Sequence, residues 1–237
     1  MYLGRVVGLG INNYGRPFAV YAVSGRSEGS KTRRAVIDKY IGIKIEPLEE
    51  TTPEQEKMRD LIFYDAIRVG NGPKSGSTRY VIVSNGKQTD AISHASTCND
   101  VRFDITQGFN RVGGAEPDEY KTPRIVGKMC LDDKKIKEAA LGIVTENGVI
   151  SSFIDFPRNN IAKYVSTYEG DIDDPKRIVI SKLKIPHGEF DIDGNSAQEL
   201  ADNMYNWMDK DVVVCSAAAL YSWDNERWEL AVRNLHD

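Results

Sequence analysis

The chain has 237 residues, of which 41% are hydrophobic and 28% charged, and a formal net charge of −4. That length and balance suit a soluble globular protein of one large or two small domains with a real buried core. The acidic balance argues against broad nucleic-acid binding, which needs a basic footprint. Three widely spaced cysteines (Cys98, Cys130, Cys215) and three scattered histidines (His94, His187, His236), with no CxxC or HxxxH pair, fit reduced thiols in the cytoplasm and argue against a zinc site.

The N-terminal "MYLGRVVGLGINNYG" is too short in its apolar part and too rich in glycine for a signal or membrane segment. "YLGRVVGLGI" and "PFAVYAVSG" flank the turn "NNYGR" and read as a hairpin. Next comes "SGRSEGSKTRR" at 24–34, which nearly spells the phosphate loop of nucleotidases: Gly, four residues, then Gly-Lys-Ser/Thr. Only three residues separate Gly25 from Gly29, however, and Ser30 intervenes before Lys31. Beyond it the apolar residues Ala35, Ile37, Ile41, Ile43 and Ile45 alternate, with Lys39 the one break, so a strand is expected over 35–45. No helix N-terminus is then available to receive a phosphate. The two glycines, the donors Ser27, Ser30 and Thr32, and the cations Arg26, Lys31, Arg33 and Arg34 make either an anion-binding loop or a solvated basic turn.

"LIFYDAIRVG" at 61–70 and "TRYVIVSN" at 78–85 read as antiparallel strands around the turn "GNGPKSGS". Alternation sets Leu61 and Phe63 on one face of the first, and Ile62 and Tyr64 on the other. In "VIVSNGKQTDAI" a buried strand runs through Asn85-Gly86 into a helix that Thr89 or Asp90 can cap. Such a strand–polar turn–helix either gathers N–H groups for an anion or a base edge, or is an ordinary capped connection. Ala91, Ile92, Ala95 and Cys98 have helical spacing, so one or two helices are expected between Thr89 and Gln107. The loop "GGAEPDEYKTPRI" at 113–125 bunches Glu116, Asp118 and Glu119 beside Lys121 and Arg124. A partly desolvated carboxylate there could move protons, although a solvated surface loop is the plainer outcome.

Strands resume with "PRIVGKMCL", with "AALGIVTENGVISSFI" turning at Asn147-Gly148, and with "AKYVSTY" and "RIVISKLKI". "EFDIDGN" at 189–195 looks like a calcium loop, but its twelfth position is Leu200 instead of a carboxylate, so it is no EF-hand. A helix begins at Ser196, with Glu199 completing a capping box and Leu200, Ala201, Met204, Trp207 and Met208 on one face. "DVVVCSAAALYSW" and "ERWELAVRNL" close the chain, and Trp207, Trp223 and Trp228 are assigned to core or interface. Many antiparallel strands with two helical blocks suggest a single α+β domain over residues 1–237.

Taken in order, "MYLGRVVGLGINNYG", "VSGRSEGSKTR", "IFYDAIRV", "VSNGKQTD", "EYKTPRI", "ALGIVTENG", "YVSTYEG" and "SAAALYSW" make nearly the whole chain resemble the archaeal-type IMP cyclohydrolase family. The resemblance implies a four-layer α-β-β-α sandwich of the N-terminal-nucleophile hydrolase type. The nucleophile itself is missing, because neither Met1 nor Tyr2 can serve as one. It further implies closure of the purine ring of 5-formamidoimidazole-4-carboxamide ribonucleotide to IMP and water, the last step of de novo purine synthesis, with no metal or organic cofactor. The loop at 24–34 would then hold a monophosphate.

On that resemblance Tyr64 donates to the formyl oxygen, and Glu116 orients or deprotonates the carboxamide. Lys31 aligns best with the family's loop arginine and Arg33 lies two residues away, so both are candidate catalytic cations. Arg26, Ser27, Asn85, Gly86, Thr89, Asp90 and Arg124 are the expected substrate contacts. The resemblance also suggests a cytoplasmic homotetramer with neither nucleic acid nor membrane as partner. Lysine at the loop position leaves a second reading, a non-catalytic purine-nucleotide-binding relative.

Overall fold

The computed structural model describes residues 1–49, 62–71, 78–95, 98–132, 134–178, 185 and 188–237. The chain opens with the expected hairpin, β1 (Arg5–Ile11) and β2 (Pro17–Ser24), paired from Arg5↔Val23 to Ile11↔Pro17. Every residue of β2 is buried, because it is covered on both faces. Phe18, Val20 and Ala22 point into one core and Ala19, Tyr21 and Val23 into another, as the period of two requires. β10 (Ile161–Ser166) and β13 (Gly188–Asp191) extend the hairpin on the β1 side. β14 (Val213–Ser222) and β15 (Arg227–Asn234) extend it on the β2 side, giving a six-stranded sheet in the order β13-β10-β1-β2-β14-β15.

The second sheet is a seven-stranded antiparallel meander in chain order. Its strands are β3 (Arg33–Asp38), β4 (Gly42–Pro47), β5 (Tyr64–Asn71), β6 (Arg79–Ser84), β7 (Arg124–Asp132), β8 (Lys135–Thr145) and β9 (Gly148–Phe153). A two-stranded ribbon pairs β11 (Tyr168–Gly170) with β12 (Pro175–Arg177).

The two large sheets bury their inner faces against each other, with Val7, Leu9 and Tyr21 from one packed with Ile43, Ile67 and Val81 from the other. The helices α1 (Glu28–Lys31), α2 (Gln88–Ala95), α3 (Val101–Val112) and α4 (Ala197–Trp207) follow in chain order. Leu200, Ala201 and Met204 of α4 cover the outer face of the six-stranded sheet. Ile92 of α2 and Ile105 and Phe109 of α3 cover the seven-stranded one. The layers therefore run helix, sheet, sheet, helix. All three cysteines are buried and none is in a disulfide; Cys130 Sγ donates to Cys98 Sγ at 2.7 Å.

Several local expectations shift. Residues 35–45 form two strands instead of one, with a turn at Lys39, where the apolar alternation breaks. Asp38 fixes that turn by accepting from Tyr40 N at 2.9 Å and from Lys44 Nζ at 2.7 Å. The single-turn helix α1 lies inside 24–34, capped reciprocally by Ser27 and Ser30, although no helix was expected there. α2 starts at Gln88, so Thr89 and Asp90 lie within its first turn and do not cap it. The β8–β9 turn is Glu146-Asn147, one residue earlier than expected. Thr145 pairs with Gly148, whose φ of +131° a side chain would strain. Ser196 caps α4 as expected, accepting from Glu199 N at 3.1 Å, while Glu199 Oε2 reaches back to Asn195 N at 2.7 Å. Leu61 and most of "RIVISKLKI" lie outside the described residues.

Candidate active site

Where β1 begins and β2 ends beside the 24–34 loop, the chain leaves a cleft of about 480 Å³. Its floor begins at Gly4, with φ of +68°. A Cβ on Gly4 would stand 2.5 Å from Thr167 Oγ1, so only glycine lets the chain pass. Arg5 follows as the first residue of β1. It is locked to β10's end from both sides: its N–H donates to Thr167 Oγ1 at 3.0 Å and its carbonyl accepts from Thr167 N at 3.0 Å. Three arginines line the cleft: Arg5, Arg26 and Arg33.

Arg33 is buried and folded back on the loop, its Nε donating to the Ser30 carbonyl at 3.0 Å and Nη2 to the Ser24 carbonyl at 3.4 Å. Arg26 lies over the Tyr2 ring at 5.2 Å, and Tyr168 stands 5.8 Å from the same ring. Ser27 joins the wall at the N-cap of α1. Ser24 Oγ, also on the wall, is buried with no hydrogen-bond partner. The cleft thus joins cations, hydroxyls and aromatic faces, which suit a phosphate and a planar ring. Lys31, at the end of α1, does not line it.

Behind Arg5 sits a buried ionisable cluster. Arg5 Nη1 donates to Glu116 Oε2 at 2.9 Å, and the Glu116 side chain is 1% exposed. The Glu116 loop is no solvated turn. Glu116 N donates to the Thr122 carbonyl at 2.9 Å, and Asp118 accepts from both Thr122 N (2.8 Å) and Thr122 Oγ1 (2.6 Å). Thr122 itself lines the cleft. Glu116 Oε1 is buried without a hydrogen-bond partner. Burial raises the Glu116 carboxyl above its ordinary range, against the pull of Arg5 and Arg124.

Across the inter-sheet core, Tyr64 Oη on β5 meets Tyr21 Oη on β2 at 2.5 Å. Burial first, and then the neighbouring Tyr64, hold the Tyr21 hydroxyl well above its ordinary range, so Tyr21 stays protonated. Burial works against the charge on Arg5, but Glu116, Tyr64 and Tyr21 more than restore it, and its guanidinium is held charged.

The remaining expected contacts form a second, separate knot. Asn85 Nδ2 donates to the Pro123 carbonyl at 3.0 Å, while Asn85 Oδ1 accepts from Ile125 N and Gln88 Nε2, each at 2.8 Å. Thr89 Oγ1 donates to the Asp65 carbonyl at 2.6 Å, and Asp90 pairs with Arg68 at 2.5 Å. Arg124 Nε donates to the Gly114 carbonyl at 3.0 Å, and a Cβ on Gly86 would sit 2.9 Å from Arg124 Nη1. This knot clamps the β6–α2 turn to the root of the Glu116 loop and does not line the cleft.

Of the expected residues, Arg26, Ser27 and Arg33 line the cleft, whereas Glu116, bonded to Arg5, and Tyr64, bonded to Tyr21, lie behind it without lining it; Arg5 and Tyr21 were not among the expected residues. A charged residue opening an otherwise apolar strand was the one signal for Arg5. Tyr21, inside "PFAVYAVS", gave none.

Among the described residues no group of three or more His, Cys, Asp and Glu could hold a metal ion, and no helix is long and apolar enough to cross a membrane. The fold and site define an α+β layered protein with a cationic, aromatic cleft beside a buried ionisable cluster. The family model described as IMP cyclohydrolase-like protein matches residues 2–226, and the chain belongs to that family. Its relatives include proteins named IMP cyclohydrolase from Methanocaldococcus jannaschii (27% identical, covering 94% of this chain and 96% of the relative) and Methanococcus aeolicus (26%, covering 95% and 98%). A third, from Thermococcus kodakarensis, is 34% identical over 53% of this chain and 54% of its own length.

Proposed function

We propose that this chain is an IMP cyclohydrolase, closing the purine ring of 5-formamidoimidazole-4-carboxamide ribonucleotide with loss of water. The observation that carries the reading is buried Glu116, with Oε1 bare and Oε2 held by Arg5, which itself lines an arginine- and tyrosine-lined cleft. Arg26, Ser27 and Arg33 take the 5′-phosphate, and the aromatic wall takes the planar imidazole.

The reacting groups sit on one ring, so the protein has mainly to hold the folded conformer. The carboxamide nitrogen attacks the formyl carbon while Glu116 accepts the proton that nitrogen sheds, and Tyr64 donates to the formyl oxygen. The resulting hydroxyl leaves as water, taking its second proton from Glu116. Loss of the formamido N–H proton, which returns to Tyr64, completes the double bond and resets both groups. The raised carboxyl of Glu116 suits it to taking and returning a proton. We read the layered fold as the N-terminal-nucleophile hydrolase type, used here without a nucleophile, and the assembly as a cytoplasmic homotetramer.

The test is direct. Purified protein incubated with the formylated ribonucleotide should generate IMP absorbance. Tyr64→Phe and Glu116→Gln should each lower kcat by roughly 10²-fold with little change in KM. Tight IMP binding without any turnover by the unaltered protein would leave only the non-catalytic nucleotide binder.

A further inference from the structure

Arg5 belongs both to the cleft wall and to the buried cluster behind it. Its backbone is pinned on two sides by Thr167, the residue lines the cleft, and one of its guanidinium nitrogens is bonded to Glu116 Oε2. The other Glu116 oxygen has no partner. A carboxylate in this position has two requirements: a counter-charge to remain ionised away from water, and one oxygen free for chemistry. Arg5 supplies the first by engaging a single oxygen, and so preserves the second.

We propose that Arg5 is the positioning residue of this centre, holding Glu116 ionised by Oε2 and aiming Oε1 at the reacting nitrogen. The inference rests on the reading of Glu116 as the base. Among the described residues, two other charges act on Glu116. Arg124 approaches from the start of β7 and Asp118 from the same loop, with opposite effects on the carboxyl. Arg124 is engaged with the Gly114 carbonyl, and Asp118 with Thr122, so neither takes the place of the 2.9 Å bond from Arg5. The field of Arg5 also reaches Tyr21 and Tyr64. One cation thereby serves both the base and the tyrosine pair.

The expected consequences differ from those of a merely structural arginine. In Arg5→Gln the buried carboxylate loses its counter-charge, so the acidic limb of the kcat/KM profile should move up by roughly one pH unit or more. At neutral pH kcat should fall by about 10- to 100-fold. Arg5→Lys keeps the charge without the planar fork; its acidic limb should stay near that of the unaltered enzyme while kcat drops. In a Glu116→Gln background, Arg5→Gln should cost less than about threefold more, because groups that act as a unit are not additive. That double variant carries no unpaired buried charge, so it stands in if Arg5→Gln alone does not fold.

An acidic limb unmoved in Arg5→Gln, or an Arg5→Gln penalty just as large without Glu116, would overturn the proposal. So would an effect confined to KM, which would make Arg5 a plain substrate contact. Full turnover by Glu116→Gln sinks the base assignment itself, and Arg5's role with it. That outcome is seen in the single variant before Arg5 is touched.

Discussion

Lys31 and Arg33 are two residues apart in the sequence and end in different surroundings. Arg33 is buried in the cleft wall with its donors on the Ser30 and Ser24 carbonyls, whereas Lys31 closes the one-turn helix α1 and does not line the cleft. Arg33→Ala should therefore weaken IMP binding by about 1.5–3 kcal/mol, the range of a charge-assisted contact. Lys31→Ala should change it less than threefold, and calorimetric titration of both variants decides between them. Glu116 gives a pH signature with a definite sign. Its carboxyl is raised by burial, so the ionised base is lost as pH falls through a value above the ordinary 4.5, and the acidic limb of kcat/KM should lie above that point. For stability the sign reverses: the contribution is full below the ordinary carboxyl pKa and fades as pH rises through the raised one. At this scale the sequence offered candidate residues singly and hid how they pair. Arg5 meets Glu116 across 111 residues and Tyr21 meets Tyr64 across 43, and neither pairing leaves a local trace.

Among the elements, hairpins were legible because their turns carry Asn and Gly beside runs of alternating apolar residues. The 35–45 segment misled because its odd-numbered apolar positions keep their parity across the 39–41 turn. Ala35, Ile43 and Ile45 are buried, but Ile37 is 44% exposed. α1 has no apolar period at all and owes its single turn to the Ser27–Ser30 cap. α4 was legible from its cap and apolar stripe, and Ser196→Ala should cost about 1 kcal/mol in urea unfolding. The contact of α2 with α3 depends on Gly108, where a Cβ would fall 2.1 Å from Ile92 Cγ1. Ile92 is fully buried and has little room to yield. Gly108→Ala should therefore destabilise by roughly 1–3 kcal/mol despite alanine's better helix propensity. A shift of the unfolding midpoint to higher denaturant would show that the helices can part.

The two sheets were unequally legible for one physical reason. In the seven-stranded sheet each strand pairs with its neighbour in sequence, so reading strands in order reads the sheet. In the six-stranded sheet the N-terminal hairpin is flanked by β10 and β14, and distant pairings of that kind leave no periodicity to find. The sheets are also tied at their edges: Asn234 Oδ1 on β15 accepts from Ala35 N on β3 at 2.7 Å, across 199 residues. A chain ending at Val212 lacks both β14 and β15, uncovers one whole edge of β2, and should show no cooperative melting transition by calorimetry. The same arrangement sets a timetable during synthesis. The first hairpin leaves the ribosome with its bonding edge bare, and β14 follows on the order of ten seconds or longer afterwards at ordinary elongation rates. Through that interval an apolar, eight-residue β2 waits for a partner from its own C-terminus, exposed to the same strand in every neighbouring nascent copy.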